Sequence, residues 1–240
     1  MAAPTHVVPA IVRAVLFDVG GPIDTEVISE QANDAAICAA LEAEGVSVTA
    51  DSLAAANAYA VETFAPDAYA SIIWRLSGSN AEVARRAYSR FHSEDRLAVH
   101  GGIELRPGIA QLIATLHAQG LLLGLAANQP LRIIAELDRC GIGRYLAHRE
   151  VSGHHGYRKP DVRLFLRACE HLGVEPAECI MVGDRIDNDI APANRLGMRT
   201  ILFRTGRHFA QQPRSFTELP DAEVRTVEEL TAALGVLTAG

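Results

Sequence analysis

From about residue 104 the chain alternates short apolar runs with segments of helical period, and that alternation constrains the fold more than any other feature. Pro107 opens a predicted helix over 108–119, and LLLGLAA at 121–127 reads as a strand. A helix is expected over 130–140, closed by Gly141, then a strand near 145–151 and a polar loop from Ser152 to Pro160. Next come a helix over 161–172 ending at Gly173, a strand CIMVG at 179–183, a helix over 187–196 ending at Gly197 and a strand at 199–203. The tail adds a short strand near 223–226 and a helix near 227–234. Well before these, VRAVLFD at 12–18 is one more buried strand, stopped by the turn Gly20-Gly21-Pro22. Strand-helix alternation of this kind predicts an α/β fold, a parallel sheet covered on both faces. Right-handed crossovers carry every strand's C-terminal end to one edge, where ligands bind near the switch in strand order. Asp18, Asn128, Lys159 and Asp184 each lie just past a strand, so they are predicted to converge there although they are remote in sequence.

Residues 27–92 have a different texture. They are rich in alanine, carry apolar positions at helical spacing and break at Gly45, Pro66 and Gly78. Helices are expected near 27–44, 51–64, 67–76 and 80–92, with Asp51 and Asn80 as N-caps. Phe64, Tyr69, Ile72, Ile73, Trp74 and Phe91 offer a small core for this bundle. The chain therefore divides into a core of 1–24 with 101–240 and a helical domain of 25–100. The insert follows the first strand directly, so it is expected to hang over the ligand edge as a lid.

Composition narrows the partners. A chain of 240 residues, 49% hydrophobic, can bury one substantial core and a smaller satellite. Its net charge of −7 opposes a phosphate backbone, which argues against nucleic acid as a main partner. No apolar run approaches the roughly 20 residues that span a bilayer, and residues 1–10 lack the pattern of a signal peptide. A cytoplasmic protein is expected. Cys38, Cys140, Cys169 and Cys179 show no C-x-x-C pairing and no His/Cys cluster, so neither a structural zinc site nor a disulfide framework is expected. Lys159 is the only lysine. Where arginine serves everywhere else, one retained ammonium suggests a tight anion site that a planar guanidinium does not fit.

The chemistry-bearing residues follow from this layout. A carboxylate at a strand end in a glycine loop, as Asp18 is, can attack phosphorus while loop N–H groups hold the phosphoryl oxygens; alone, it could equally cap a turn. Lys159 can neutralise an anion. Asp18, Asp184 and Asp189 together form an oxygen-rich, anionic pocket suited to a hard cation such as magnesium. Asp187 fits a helix start decorated with acids, with Asn188 beside it. Asn128 could contact substrate, fix a loop or cap the helix at 130–140. His154 and His155 read as surface residues. Trp74, Tyr69, Arg75, His92 and His100 are candidates for facing a substrate, with core packing the better reading of Trp74.

Taken together, Asp18 in LFDVGG, Asn128 in GLAANQ, Lys159 in GYRKPD and Asp184 and Asp189 in VGDRIDND resemble the haloacid dehalogenase (HAD) superfamily over nearly the whole chain. The resemblance implies a Rossmann-like core with residues 25–100 as a helical cap of the C1 type. It implies a hydrolase of small phosphorylated molecules, with Asp18 as the nucleophile, Lys159 as a catalytic and phosphate-binding cation, and Gly21 and Asn128 as further substrate contacts. It further implies Mg²⁺ held by Asp18, the Gly20 carbonyl and Asp184, with Asp189 through water. Two departures stand out. Most phosphatases of this family carry an acid/base aspartate where this chain has Gly20, and a serine or threonine where it has Ala127. A missing proton shuttle typically costs about 10²–10⁴ in rate. Asp24 and Glu26 are the nearby acids that could substitute, although helix-start capping is the simpler role for Asp24 or Thr25.

Four readings of function follow. A magnesium-dependent phosphatase working through an aspartyl-phosphate on Asp18 comes first. A catalytically impaired homologue that binds a phosphometabolite or a partner is the alternative that Gly20 and Ala127 favour. A 2-haloacid dehalogenase ranks lower, because such enzymes need no metal and carry small neutral residues at the position of Asp184. Phosphonate cleavage through a lysine Schiff base is opposed by the absence of any lysine from the cap.

Overall fold

A computed structural model describes residues 10–93 and 102–239. They form two compact units. One comprises the described residues up to 23 with 105–204 and those from 213 onward; the other comprises the described residues of 24–104 with 205–212.

The first unit is built on a parallel sheet. Its strands are β1 (Ala14–Phe17), β2 (Leu122–Ala127), β3 (His148–Val151), β4 (Cys179–Gly183), β5 (Arg199–Phe203) and β6 (Ala222–Val224), in the spatial order β3-β2-β1-β4-β5-β6. β1 pairs with β2 and β4, Leu16 lying opposite Gly124 and Met181. Every residue of β1 and β4 is buried, as a strand covered on both faces requires. On one face the alternate residues Ala14, Leu16, Cys179 and Met181 pack against Leu164, Phe165, Ala168, Cys169 and Leu172 of the helix Val162–Leu172. Fully burying a side chain such as Phe165 contributes about 1.5–3 kcal/mol, and truncating it to alanine costs about 3–5 kcal/mol with the cavity included. Chain order reverses between β1 and β4, so the switch point lies at the ends of these two strands.

The remaining helices of this unit are Ile109–Ala118, Arg132–Arg139, Ala191–Arg195 and Val227–Ala239. The helix expected over 187–196 is interrupted: residues 186–190 form a single wide turn before Ala191, and Pro192 sits in the first turn of the short helix that follows. No helix among the described residues is long and apolar enough to cross a membrane.

The second unit is helical: α1 (Val27–Glu42), α2 (Ala50–Glu62), α3 (Ala68–Leu76) and α4 (Ala81–Phe91). Small residues let the helices approach closely, with Ala56, Ala60, Ala84 and Ala87 interleaved among Ile37, Leu41, Ile72, Ile73 and Phe91. Asn80 caps α4 through the N–H groups of Glu82 and Val83. Asp51 does not cap α2. Thr49, extended at φ −98°, takes that role, its hydroxyl accepting from Ser52 N while the Ser52 hydroxyl accepts from Thr49 N. Trp74 leaves 44% of its surface exposed, against its expected place in the core. Phe91 is the aromatic inside, and the partly buried Tyr69 packs against it with ring centres 5.2 Å apart. His92 packs tilted against Tyr88 and edge-on to Phe91, and Arg75 lies over Tyr59. His100 falls outside the described residues. Segment 205–212 is tied to α1 by Arg207, whose guanidinium donates to Asp34 (2.9 Å) and whose backbone N–H donates to Glu30 (3.0 Å).

Candidate active site

Asp18 follows β1 directly, and its backbone N–H donates to the Val182 carbonyl (2.9 Å), continuing the pairing with β4. Its Oδ1 accepts from the N–H of Val19 (2.7 Å), which fixes the carboxylate in the turn. Its Oδ2 lies 2.8 Å from Lys159 Nζ. The same ammonium donates to Asp189 Oδ1 at 2.5 Å. Lys159 and Asp189 keep 1% and 0% of their side-chain surface exposed, and Asp18 keeps 14%. One carboxylate at the centre therefore faces outward while the ion pair behind it is sealed. Asp184 follows β4, is buried, and has a carboxylate oxygen within 4.8 Å of those of Asp18 and Asp189.

Asp189 reaches this position through the wide turn at 186–190. Its Oδ2 accepts from Arg185 N (3.0 Å), and its own N–H returns to the Arg185 carbonyl (2.9 Å). The carboxylate packs directly on Gly183, where an added β-carbon would stand 2.5 Å from Asp189 Oδ2 and closer still to its Cγ. Glycine is thus required here by a close approach. Asp187 turns aside and pairs with Arg185 at 2.6 Å, and Asn188 is buried next to it.

Asn128 lies just past β2 and grips the main chain of Lys159 at two points. Its Nδ2 donates to the Lys159 carbonyl (3.0 Å), and its Oδ1 accepts from the Lys159 N–H (2.7 Å). It does not cap the following helix, which begins at Arg132 after Leu131 and has no side-chain cap. Of the roles open to Asn128, loop fixing is the one its hydrogen bonds describe. Arg106 was not anticipated. Its Nε donates to the Gly21 carbonyl (2.7 Å) and its N–H to Ile23 (2.8 Å), while its guanidinium lies 4.7 Å from the Phe203 ring centre. It therefore anchors the loop after Asp18. No local pattern around Leu105-Arg106-Pro107 signals that role, because its partners lie some eighty residues earlier.

Asp24 and Glu26 belong to the helical unit. Asp24 Oδ1 accepts from the N–H groups of Glu26 (3.2 Å) and Glu104 (3.1 Å), an Asx-type turn. Glu26 precedes α1 in the left-handed conformation, φ 61°.

Charge dictates what this pocket can hold. Burial alone would lower the Lys159 pKa, but Asp18 and Asp189 outweigh it and raise it, so the lysine stays an ammonium. Burial pushes Asp189 up to about 6, with Asp18 adding to the rise and Lys159 opposing it. Three ionised carboxylates against one ammonium, −3 + 1, leave a charge of −2. At separations near 4–5 Å, each like-charge pair costs about 3–4 kcal/mol at an effective dielectric near 20. An all-oxygen donor set with that residual charge fits a hard divalent cation. Asp18 and Asp184 are the better placed donors, since Asp18 keeps 14% of its side chain exposed whereas Asp189 is sealed at 0% between Lys159 Nζ and Arg185 N.

The model of the haloacid dehalogenase-like hydrolase family matches residues 12–197. The glyceraldehyde 3-phosphate phosphatase of Methanopyrus kandleri is 34% identical over 52% of this chain and 54% of its own length. The chain thus spans about half the length of that relative. The N-acetylmuramic acid 6-phosphate phosphatase of Pseudomonas putida is 30% identical over 81% of this chain and 83% of its own. Among solved structures, a HAD phosphatase from Thermococcus onnurineus superposes with a TM-score of 0.61 at 24% identity, covering 93% of this chain and 98% of that one, a likeness of fold. With β1 and β4 meeting at the switch point of a Rossmann-like sheet and the family match running from β1 past β4, the chain belongs to the haloacid dehalogenase-like hydrolases.

Proposed function

We propose that the chain is a magnesium-dependent phosphate-monoester hydrolase acting on a small phosphorylated metabolite, with Asp18 as nucleophile. The observation that carries this reading is the sealed Lys159 ammonium, 2.8 Å from Asp18 and 2.5 Å from Asp189, with Asp184 beside them. The phosphatase names of the Methanopyrus and Pseudomonas relatives support the same chemistry. Asp18, the Gly20 carbonyl and Asp184 would hold Mg²⁺, with Asp189 through water, and the bound cation supplies charge neutralisation for the phosphoryl oxygens. A carboxylate oxygen of Asp18 attacks phosphorus, and the bond to the leaving oxygen breaks with its electron pair on that oxygen, which takes a proton from water. Water then attacks phosphorus in the aspartyl-phosphate, releasing phosphate and restoring Asp18. Lys159 offsets the charge of Asp18 and the phosphoryl group, the loop N–H groups around Gly21 bind its oxygens, and Asn128 keeps Lys159 in register. Residues 25–100 form a C1-type cap domain inserted into a core of 1–24 and 101–240, a division supported by the insertion point straight after the Asp18 loop, with Asp24 and 205–212 joining the helical unit.

Turnover of an aryl phosphate with Mg²⁺ tests the nucleophile: Asp18→Asn is expected to lower it by about 10³-fold or more. Undiminished activity in a folded Asp18→Asn protein would reject the assignment. Gly20 and Ala127, with Asp24 already holding two backbone N–H groups, favour a second reading: a homologue that binds a phosphometabolite or partner with little turnover. Calorimetric binding of inorganic phosphate without hydrolysis of any ester in a broad panel would select it. Dehalogenation is disfavoured by Asp184 and Asp189, and chelator-insensitive chloride release from a 2-haloacid would restore it.

A further inference from the structure

Among the described residues, one other group of ligand-type side chains converges, on β3 and on the helix that packs against it. His148 and Glu150 are two apart on the strand, so they share a face. His171 comes from the last turn of the helix Val162–Leu172. His148 Nε2 lies 2.7 Å from Glu150 Oε2. The His148 and His171 rings stack nearly parallel, with centres 4.2 Å apart. One donor atom from each of the three residues lies within 4.8 Å of the others.

The outer contacts select the right atoms. His171 Nδ1 is 2.8 Å from the Arg167 carbonyl, which can only accept, so Nδ1 carries the proton and Nε2 keeps its lone pair. On the far side of the carboxylate, His155 Nδ1 accepts from the Tyr157 N–H (3.1 Å), and its Nε2–H therefore donates to Glu150 Oε1. Arg167 Nε stands 3.6 Å from that same oxygen, buried and without a hydrogen-bond partner. Oε1 is thus held from behind, while Oε2 lies against His148. Burial works to raise the Glu150 pKa, but hydrogen bonds from His148 and His155 overcome it and hold the group ionised.

We propose that His148 Nε2, His171 Nε2 and Glu150 Oε2 form a three-ligand site for a borderline divalent transition metal of the zinc type, with water in the fourth position. Ligand bonds near 2.0–2.1 Å in a tetrahedron set donor separations of about 3.3–3.5 Å. The pair at 2.7 Å must open and His171 must tilt out of the stack, and His171 is the exposed member at a helix end. The proton on His148 Nε2 leaves that atom as the metal binds, either to Nδ1 or to solvent. Imidazole nitrogen selects against magnesium, so this site and the oxygen pocket at Asp18 take different cations. The inference is independent of the proposed phosphatase activity.

Titration of the untagged full chain with zinc, in excess magnesium, tests it by calorimetry, with cobalt absorption reporting nitrogen ligation. One saturable zinc per chain is expected in both wild type and Asp184→Asn. Affinity is expected to fall by about tenfold or more in His171→Ala and in His148→Gln, with loss of the cobalt bands. Absence of saturable binding in the wild type, wild-type affinity in folded His171→Ala or His148→Gln, or loss of the site in Asp184→Asn would each overturn the assignment.

Discussion

Replacing Lys159 by methionine removes the only cation between two carboxylates while keeping much of the side-chain volume. Nζ lies 2.8 Å from Asp18 and 2.5 Å from Asp189, and both Lys159 and Asp189 are sealed from solvent. Breaking a buried ion pair from one side costs about 3–5 kcal/mol, because a charge is left without compensation. Protonation limits the loss. Asp189 already titrates near 6 from an ordinary value of 3.8, and Lys159 is the main influence holding it down. Without the lysine it binds a proton at neutral pH. Forcing a group of intrinsic value 3.8 to be neutral at about pH 7 costs about 4 kcal/mol, but the wild-type protein, with Asp189 at about 6, already bears about 3 kcal/mol of that, so Asp189 protonation caps the added loss at about 1.4 kcal/mol. A destabilisation of about 1–1.5 kcal/mol corresponds to a fall in Tm of about 2–6 °C for a chain of this size. Thermal unfolding followed by circular dichroism in chelator measures it. At about pH 5 wild-type Asp189 is itself largely protonated, so the deficit should nearly vanish. A Lys159→Met protein with unchanged Tm in chelator, or one equally impaired at both pH values, would refute the reasoning.

Gly183→Ala drives a β-carbon into the Asp189 carboxylate. Overpacking of about 1–3 kcal/mol in denaturant melts is expected, with loss of turnover beyond what that destabilisation explains. Gly20→Asp supplies a carboxyl group two residues from the nucleophile. Because the chain has no general acid there, wild-type turnover is expected to depend steeply on leaving-group pKa, and the variant to gain about 10–100-fold on alkyl phosphates while changing little on nitrophenyl phosphate. Asp189 has a folded pKa raised to about 6, so in chelator its contribution to stability is full below about 3.8 and is lost as pH rises through about 6. Asp189→Asn is therefore expected to flatten the fall in stability across that window relative to wild type, measured as urea midpoints against pH.

The sheet was legible because buried parallel strands announce themselves as short apolar runs, and CIMVG and LLLGLAA needed no tertiary knowledge to read. Residues at strand ends were legible for the same reason: chain topology alone brings Asp18, Lys159 and Asp184 to a common edge. What escaped depends on partners distant in sequence. Asn128 carries the local signature of a helix cap, yet its amide is taken by the Lys159 main chain, 31 residues away. The regular helix expected over 187–196 overlooked the Asp189 carboxylate, which folds back to Arg185 and sits against Gly183. Thr49 and Asp51 are both good caps by composition, and only backbone direction at the turn distinguishes them. Trp74 sits on a helix whose inner stripe is filled by Ile72, Ile73 and Tyr69, which turns the indole outward. The pattern His148-x-Glu150 carries no local metal signature, because its third member, His171, comes from a separate helix.

The grip of Asn128 on Lys159 reproduces, with a side chain, the donor-and-acceptor exchange of a sheet rung. The functional lysine is thereby stitched to the end of β2 as though the strand ran one residue further. An acid at position 128 would turn one half of that stitch into oxygen against oxygen. The identity of the amide at 128 thus governs where an ammonium on a different loop comes to rest, although the two side chains share no hydrogen bond.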